Sequence, residues 1–426
     1  MSRRKLVVFD CWTKGSVHII RLLESLEAQR IDPVFVHVGS WGDDSGRPAS
    51  ETLSGLAVRD IRGYPGIRSV LDAETPDAVL FLSLDPMVHR AFNRYCRQRR
   101  IPTVNLYPGL WSAQNYDELS MDRRDIHLYW RWVASRLTRF TRYVFPVYIW
   151  SMLRTGAAPR EWWSFVVEVY RKLAGVAMLG APADAAADYI CVYNEHDARH
   201  AVGKYGAAAD RVVQVGVPDL IKFGGLEGAL GRYCDEASEM YPQVVYIGTG
   251  KRGTRLRMAD SDQYLRHLVE TGATLARHDK RLVCKLHYSR ADVIAELERG
   301  AHPGISVCHD DDFVATLEAS CGAIIEPSTA ALVPLVMGKP VFLAQYGKLS
   351  GLTFGPALQA YPRARSIVSL DDLRWVAAPV ESPAGTEDWI RSVAGPLPTA
   401  AMPARVVRVI ATAMNGGSEP LPAPPA

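Results

Sequence analysis

Short apolar runs rich in Val, Ile and Leu recur along the chain, separated by segments in which apolar residues return every three or four positions. Such runs fit parallel strands covered on both faces, where neither face meets water and no alternation is needed. In the first half they are Lys5–Phe9, Pro33–Val38, Ala78–Ser83, Pro102–Leu106, Tyr189–Val192 and Val212–Val215. In the second they are Val244–Ile247, Arg281–Leu286, Ile305–Cys308, Gly322–Ile325, Pro340–Leu343 and Ser366–Val368. Helical periodicity fills Val17–Gln29, His89–Arg99, Ser261–His278 and Ala330–Met337. Strands alternating with helices predict an α/β protein built from two doubly wound, Rossmann-like sheets. A chain of 426 residues is longer than one core supports, so two domains facing across a cleft are expected. We place the first at residues 1–222 and the second at 242–398, joined by the glycine-rich, weakly periodic linker 223–241. Residues 399–415 predict a closing amphipathic helix that packs back across the first domain, and 416–426 a disordered tail.

One region breaks the alternation, and we read it as a helical insertion over about 122–180. Between Asp122 and Lys172 there are ten Lys or Arg against four Asp or Glu, with five of the chain's ten tryptophans. Basic side chains mixed with aromatic rings suit the headgroup layer of an anionic membrane, or a lipid-linked acceptor. The other reading is a helical insertion packed on the sheet or on a second subunit. No run approaches 18 apolar residues, and the start MSRRKLVVFD lacks a signal peptide's long apolar stretch. Seven cysteines, an odd number without CxxC spacing, fit free thiols in a reducing compartment. A cytoplasmic protein, peripheral on the inner membrane through residues 122–172, is the expectation. With 49 basic and 46 acidic residues the formal charge is only +3, which excludes a general electrostatic nucleic-acid binder.

Candidate chemistry lies where strands end. After Asp10 the chain reads Cys-Trp-Thr-Lys-Gly-Ser-Val-His into a helix, so Gly15, Ser16 and His18 face the cleft, either as a ligand-approaching loop or as a capped tight turn. No GxGxxG follows this strand, which argues against a dinucleotide site. The run PDAVLFLSLDP delivers Asp85 to a strand end, as a general base for an acceptor hydroxyl or as a helix cap ahead of Pro86. In YIGTGKRGTR, Gly248, Thr249 and Gly250 with Lys251 and Arg252 form either a phosphate cradle, through backbone amides and cations, or a solvated turn. In VCKLHYS, Lys285 and His287 share one face of a strand end, where both can meet a phosphate. Ser328 and Thr329 open a helix whose start favours a phosphate, or simply cap it, and Glu326 can reach a ribose or sugar hydroxyl. His309 falls on a strand end beside Asp310–Asp312, whose three carboxylates invite a metal reading.

Three of these strings resemble known enzymes. YICVYNEHDARHAVGKYGAAADRVVQVGVPDL resembles the end of the first domain in GT-B glycosyltransferases and UDP-sugar 2-epimerases, which implies Glu195 and His196 near the cleft, with Asn194 as a helix cap. VCKLHYS resembles the strand end at which bacterial transferases using CMP-activated acid sugars carry a His-Pro pair against the donor phosphate; here Tyr288 replaces the Pro. Polyol-phosphate transferases of teichoic acid synthesis have a similar His. AIIEPSTAALVPLVMGKPVFLAQYG resembles the donor-binding segment of the same superfamily. The resemblance implies a metal-independent GT-B glycosyltransferase of bacterial surface-polysaccharide assembly, lipopolysaccharide or capsule. It argues against a metal at Asp310–Asp312, implying instead contact of His309 with a nucleotide base. Its donor would be CMP- or CDP-linked and a co-substrate rather than a bound cofactor, its acceptor a glycan or lipid-linked unit. Asp85, Glu195, His196 and His287 are the catalytic candidates. The alternatives are a UDP-sugar 2-epimerase of the same fold and a non-catalytic subunit that recruits enzymes to a membrane.

Overall fold

The computed structural model describes residues 3–42, 46–107, 130–131, 134, 137–173, 182–223, 226–234, 240–250, 258–300, 302–377 and 382–416. Each apolar run named above overlaps a strand. The first sheet comprises β1 (Arg4–Asp10), β2 (Ile31–His37), β3 (Ser50–Leu53), β4 (Leu56–Asp60), β5 (Ala78–Phe81), β6 (Thr103–Leu106), β7 (Tyr189–Val192) and β8 (Val212–Gln214). The second comprises β9 (Gln243–Ile247), β10 (Arg281–Lys285), β11 (Ile305–Val307), β12 (Ser320–Ile325), β13 (Val341–Ala344) and β14 (Ala364–Ile367).

Their orders are β3-β4-β2-β1-β5-β6-β7-β8 and β11-β10-β9-β12-β13-β14. All pairs are parallel except the β3–β4 hairpin, which the sequence reading left out. Those two strands are short and β3 is an outer strand with no fully buried position, so no continuous apolar run marks them. Their signal was the Ser54–Gly55 pair between them, where φ is 49° and 86°: two successive positive φ values make the tight hairpin turn that suits twisted strands.

In the described residues the chain passes from the first sheet to the second after β8 and returns near its end. Tyr193, Val217 and Leu220 share one apolar cluster with Ile247, Ile325 and Val393. The helix Met402–Met414 buries Val406, Val407, Val409 and Ile410 with Leu6, Val8, Leu80 and Val104 of the first sheet through its apolar stripe. Arg405 ties the return, donating to the carbonyls of Val215 (2.9 Å), Pro396 (3.0 Å) and Pro398 (2.6 Å).

Within the expected insertion two helices are described, Phe145–Arg154 and Pro159–Leu173. They stand on the helix Met87–Gln98 through a buried polar cluster. Arg90 pairs with Glu168 (2.7 Å) and Asp184 (3.3 Å), Arg94 with Glu161 (2.7 Å) and Asp184 (3.3 Å), and the Tyr148 hydroxyl donates to Asp184 (2.6 Å). A buried cation costs several kcal/mol to desolvate, and here each guanidinium meets two carboxylates.

Candidate functional site

A doubly wound sheet binds ligands where its strand order reverses, outside the C-terminal strand ends. In the second sheet that point lies between β9 and β12, which lead into Gly248–Gly250 and into Glu326–Thr329. A groove of about 930 Å³ opens there, lined by Gly248, Thr249, Lys285, His287, Ser328 and Thr329, with His309 and Asp310 further along and His18 from the first sheet's side. The volume suits a nucleotide-sized ligand.

Lys285 Nζ pairs with Asp310 Oδ1 at 2.7 Å, so an entering phosphate would exchange one anionic partner for another. His287 Nδ1 accepts from the backbone N–H of Ser289 (3.1 Å), which leaves the ring proton on Nε2. Burial and then the neighbouring cations Arg290, Lys285 and Lys14 hold its pKa below the ordinary value, so the ring is a neutral donor at neutral pH. Ser328 Oγ accepts from Ala330 N (3.3 Å) and so caps the short turn Thr329–Ala331, with the helix itself running only from Leu332 to Met337. His309 is largely exposed and pairs with Glu298 at 2.9 Å. Tyr288 is also exposed, and the ammonium of Lys14, from the turn after β1, sits 4.3 Å from its ring centroid: the two halves meet across the groove at this contact.

Two expectations need correction. Glu326 is fully buried and does not reach a ligand: its carboxylate accepts from the hydroxyls of Tyr246 (2.8 Å) and Tyr264 (2.7 Å) and from Thr249 N (2.8 Å). Burial raises its pKa against those three bonds. Nor do the first amides of the glycine loop form a phosphate cradle, since Gly248 N donates to Lys285 O (2.9 Å) and Thr249 N to Glu326. The Thr249 carbonyl is held in turn by Arg290 Nε (3.0 Å), whose guanidinium lies 3.5 Å from the Tyr264 ring centroid. Gly248 is required by close approach, because a Cβ there would meet Tyr264 Oη at 2.4 Å and Leu286 Cδ2 at 2.8 Å. Gly250 passes over His287 and Ser289, each 3.2 Å from where its Cβ would stand. Lys251 and Arg252 lie outside the described residues.

The reversal point of the first sheet lies between β1 and β5, and it brings forward a residue not nominated from the sequence. Asp10 ends β1, nearly buried, with Cys11 N donating to Oδ1 at 2.7 Å. Burial outweighs its hydrogen bonds from the Cys11 and Trp12 amides and raises its pKa from 3.8 to about 7. His89 Nε2 stands 3.7 Å from Asp10 Oδ1 and has no hydrogen-bond partner among the described residues, while Nδ1 bonds the Ser83 carbonyl. Burial lowers the His89 pKa to about 4, so the imidazole is neutral. Gly15 arches over this carboxyl: a Cβ there would lie 2.1 Å from Asp10 Oδ2. Ser16 is buried in the first turn of the following helix, and His18 reaches the groove with its pKa lowered to about 4 by burial and Arg21.

The other first-half candidates stand elsewhere. Asp85 accepts from the Tyr205 hydroxyl (3.0 Å) and pairs with Lys204 (3.6 Å); the cap position of the next helix is Pro86, with no side-chain bond. Glu195 is exposed and pairs with Arg199 at 3.9 Å. His196 bonds Ser392 Oγ at 3.1 Å and packs on Trp389, on the seam between the two halves. Asn194 caps the helix Glu195–Tyr205 by accepting from Asp197 N at 3.0 Å. None of Asp85, Glu195 and His196 lines the groove. Among the described residues, no group of three or more His, Cys, Asp or Glu is placed to hold a metal ion.

Two mostly parallel, doubly wound sheets with a groove at a reversal point make a GT-B-like architecture. The chain resembles the calicheamicin glycosyltransferase CalG4 (TM-score 0.55, 11% identity, 98% of this chain and 100% of that one). It also resembles a putative UDP-N-acetylglucosamine 2-epimerase from Listeria monocytogenes (TM-score 0.51, 14% identity, 100% and 99%). The wall teichoic acid polymerase TagF, as its H444N variant, is a third such structure (TM-score 0.51, 9% identity, 97% and 90%). At these identities the likeness is one of fold. No protein-family pattern matches the chain, and no curated protein sequence matches it.

Proposed function

We propose that the chain is a GT-B glycosyltransferase that carries a sugar or sugar-like unit from a nucleotide-activated donor, CMP- or CDP-linked, to a glycan or lipid-linked acceptor. The observation that carries this reading is the convergence of Lys285, His287, Ser328 and Thr329 on one groove. An ammonium, a neutral imidazole N–H and two hydroxyls together suit the charge that builds on a leaving nucleotide phosphate. The cytidine assignment rests on the resemblance of the Lys285–His287 and Ser328–Thr329 segments to transferases with such donors. In the proposed reaction the acceptor hydroxyl oxygen bonds the activated carbon. The bond from that carbon to the phosphate oxygen breaks, its electron pair staying with the nucleotide, and the acceptor proton passes to a carboxylate. Asp10, outside the groove lining but at the end of β1 on the reversal point of the first sheet, is the first candidate for that base, its pKa raised to about 7 by burial.

The 2-epimerase reading would recruit Asp85, Glu195 and His196 as acid–base groups around the sugar. All three stand away from the groove and were candidates for the transferase as well, so a measurement has to separate the two readings. The test is thermal-shift titration with CMP, CDP, UDP, GDP and ADP, since a ligand at a hundred times its Kd adds about 2.7 kcal/mol of stability. A shift with cytidine nucleotides that Lys285→Ala and His287→Ala abolish is expected. A shift with uridine nucleotides alone, together with a new sugar nucleotide formed from UDP-GlcNAc without acceptor, would move the assignment to the epimerase. No shift with any nucleotide would overturn both.

A further inference from the structure

The helical pair 145–173 is fastened to the first sheet's side by Tyr148, Met152 and Phe165 and by its buried ion pairs, and a second set of its apolar side chains faces water. Among the described residues, seven of the twelve large apolar side chains that stand exposed fall between positions 130 and 170: Trp130, Leu137, Trp150, Leu153, Trp163, Val166 and Tyr170. In the helix Pro159–Leu173, Phe165 and Glu168 are buried, whereas Trp163, Val166 and Tyr170 recur at i, i+3 and i+7 on the opposite side. That spacing makes one continuous stripe. Trp163 is 70% and Tyr170 71% exposed, which is costly for aromatic rings with no partner. In the helix Phe145–Arg154 the same inversion occurs: Tyr148, Ser151 and Met152 are buried while Trp150 and Leu153 are exposed.

Charge decides what covers this face. Residues 137–173 contain six Lys or Arg and two acids, Glu161 and Glu168. Both acids are already committed to Arg94 and Arg90. Arg142, Arg154 and Arg160 are exposed, and Arg154 lies 4.7 Å from the centroid of the Trp150 ring. Tryptophan and tyrosine beside arginine, with no carboxylate left over, match a surface that is apolar below and anionic above. No described helix is long and apolar enough to cross a membrane, so the fit is to the surface layer.

We propose that this face docks the protein on an anionic lipid bilayer, with Trp150, Trp163, Val166 and Tyr170 entering the headgroup layer and Arg142 and Arg154 meeting lipid phosphates. The docking goes beyond the transferase reading: it uses a different face and needs no donor.

The test is co-sedimentation of the full chain with phosphatidylcholine vesicles and with vesicles of equal parts phosphatidylcholine and phosphatidylglycerol. Binding to the anionic vesicles alone, weakened by salt, is expected. Arg142→Gln with Arg154→Gln should lower partitioning by about thirtyfold, and Trp163→Ser with Tyr170→Ser by at least about tenfold. Melting temperature and circular dichroism should stay unchanged in both, because these side chains are exposed. Absence of binding to anionic vesicles, equal binding to both kinds, or variants that bind like the parent would each overturn the proposal. So would a stable dimer in sedimentation velocity that Trp163→Ser dissociates, which would give the face to a second copy of the chain.

Discussion

Asp10→Asn isolates the most perturbed carboxyl of the first sheet, and its effect has a defined sign. In the native protein the group holds its proton up to about pH 7, whereas its ordinary value is 3.8. Below about pH 4 both native and unfolded chains are protonated there, and the group contributes no pH dependence. Between about 4 and about 7 only the native chain keeps the proton, so stability falls as pH rises. Above about 7 the whole penalty of a buried carboxylate is present. At 1.36 kcal/mol per tenfold change, the span from 3.8 to about 7 is on the order of 4 kcal/mol. Asparagine keeps the shape and the acceptor for Cys11 N but cannot ionise. The stability of Asp10→Asn relative to the parent should therefore rise by up to about 4 kcal/mol from pH 4 to pH 8. Urea unfolding followed by tryptophan fluorescence at several pH values reads this difference, and titrating groups common to both chains cancel. A difference that is flat with pH, or that falls, would refute the reasoning. If Asp10 is also the base, kcat/KM of the parent should rise with pH and level off above about 7, and the variant should lose that limb together with most of its rate.

Glu326→Ala leaves two buried hydroxyls and the Thr249 N–H without their acceptor; we expect a loss of about 3 kcal/mol or more by urea unfolding, together with weaker nucleotide binding as the loop 248–250 is released. Arg90→Met takes a guanidinium from buried Glu168 and from Asp184, which keeps Arg94 and the Tyr148 hydroxyl; it should cost about 3 kcal/mol, read as faster proteolysis within the pair of helices 145–173 before the rest of the chain is cut.

The doubly wound sheets were legible because a strand covered on both faces has a compositional mark of its own, as in Ala78–Phe81 or Ser320–Ile325, where every residue is buried. The β3–β4 hairpin carries no such mark. The groove was legible in part for a similar reason: a Lys and a His two apart at a strand end, and a Ser-Thr pair after another strand, are local patterns. Tertiary partners are not. Glu326 reads as a ligand-facing acid until Tyr264 and Tyr246, 62 and 80 residues away, are seen to cover it. His196 sits in a string that resembles a cleft segment, yet it is held by Ser392, 196 residues on. Asp10 passed as the polar end of an apolar run because its chemistry comes from depth and from His89, on another element.

The helix Met402–Met414 closes an apolar face whose other walls include Leu6 and Val8. About four hundred residues separate the two, so during synthesis the first sheet emerges early and waits uncovered on that side until Met402–Met414 has left the ribosome. The amino-terminal half thus cannot reach its final compactness before that helix is made, however quickly its own strands pair, and until then it is the kind of intermediate that chaperones hold. Removing the last two turns of this helix should injure the sheet that was made first, not the one beside them in sequence.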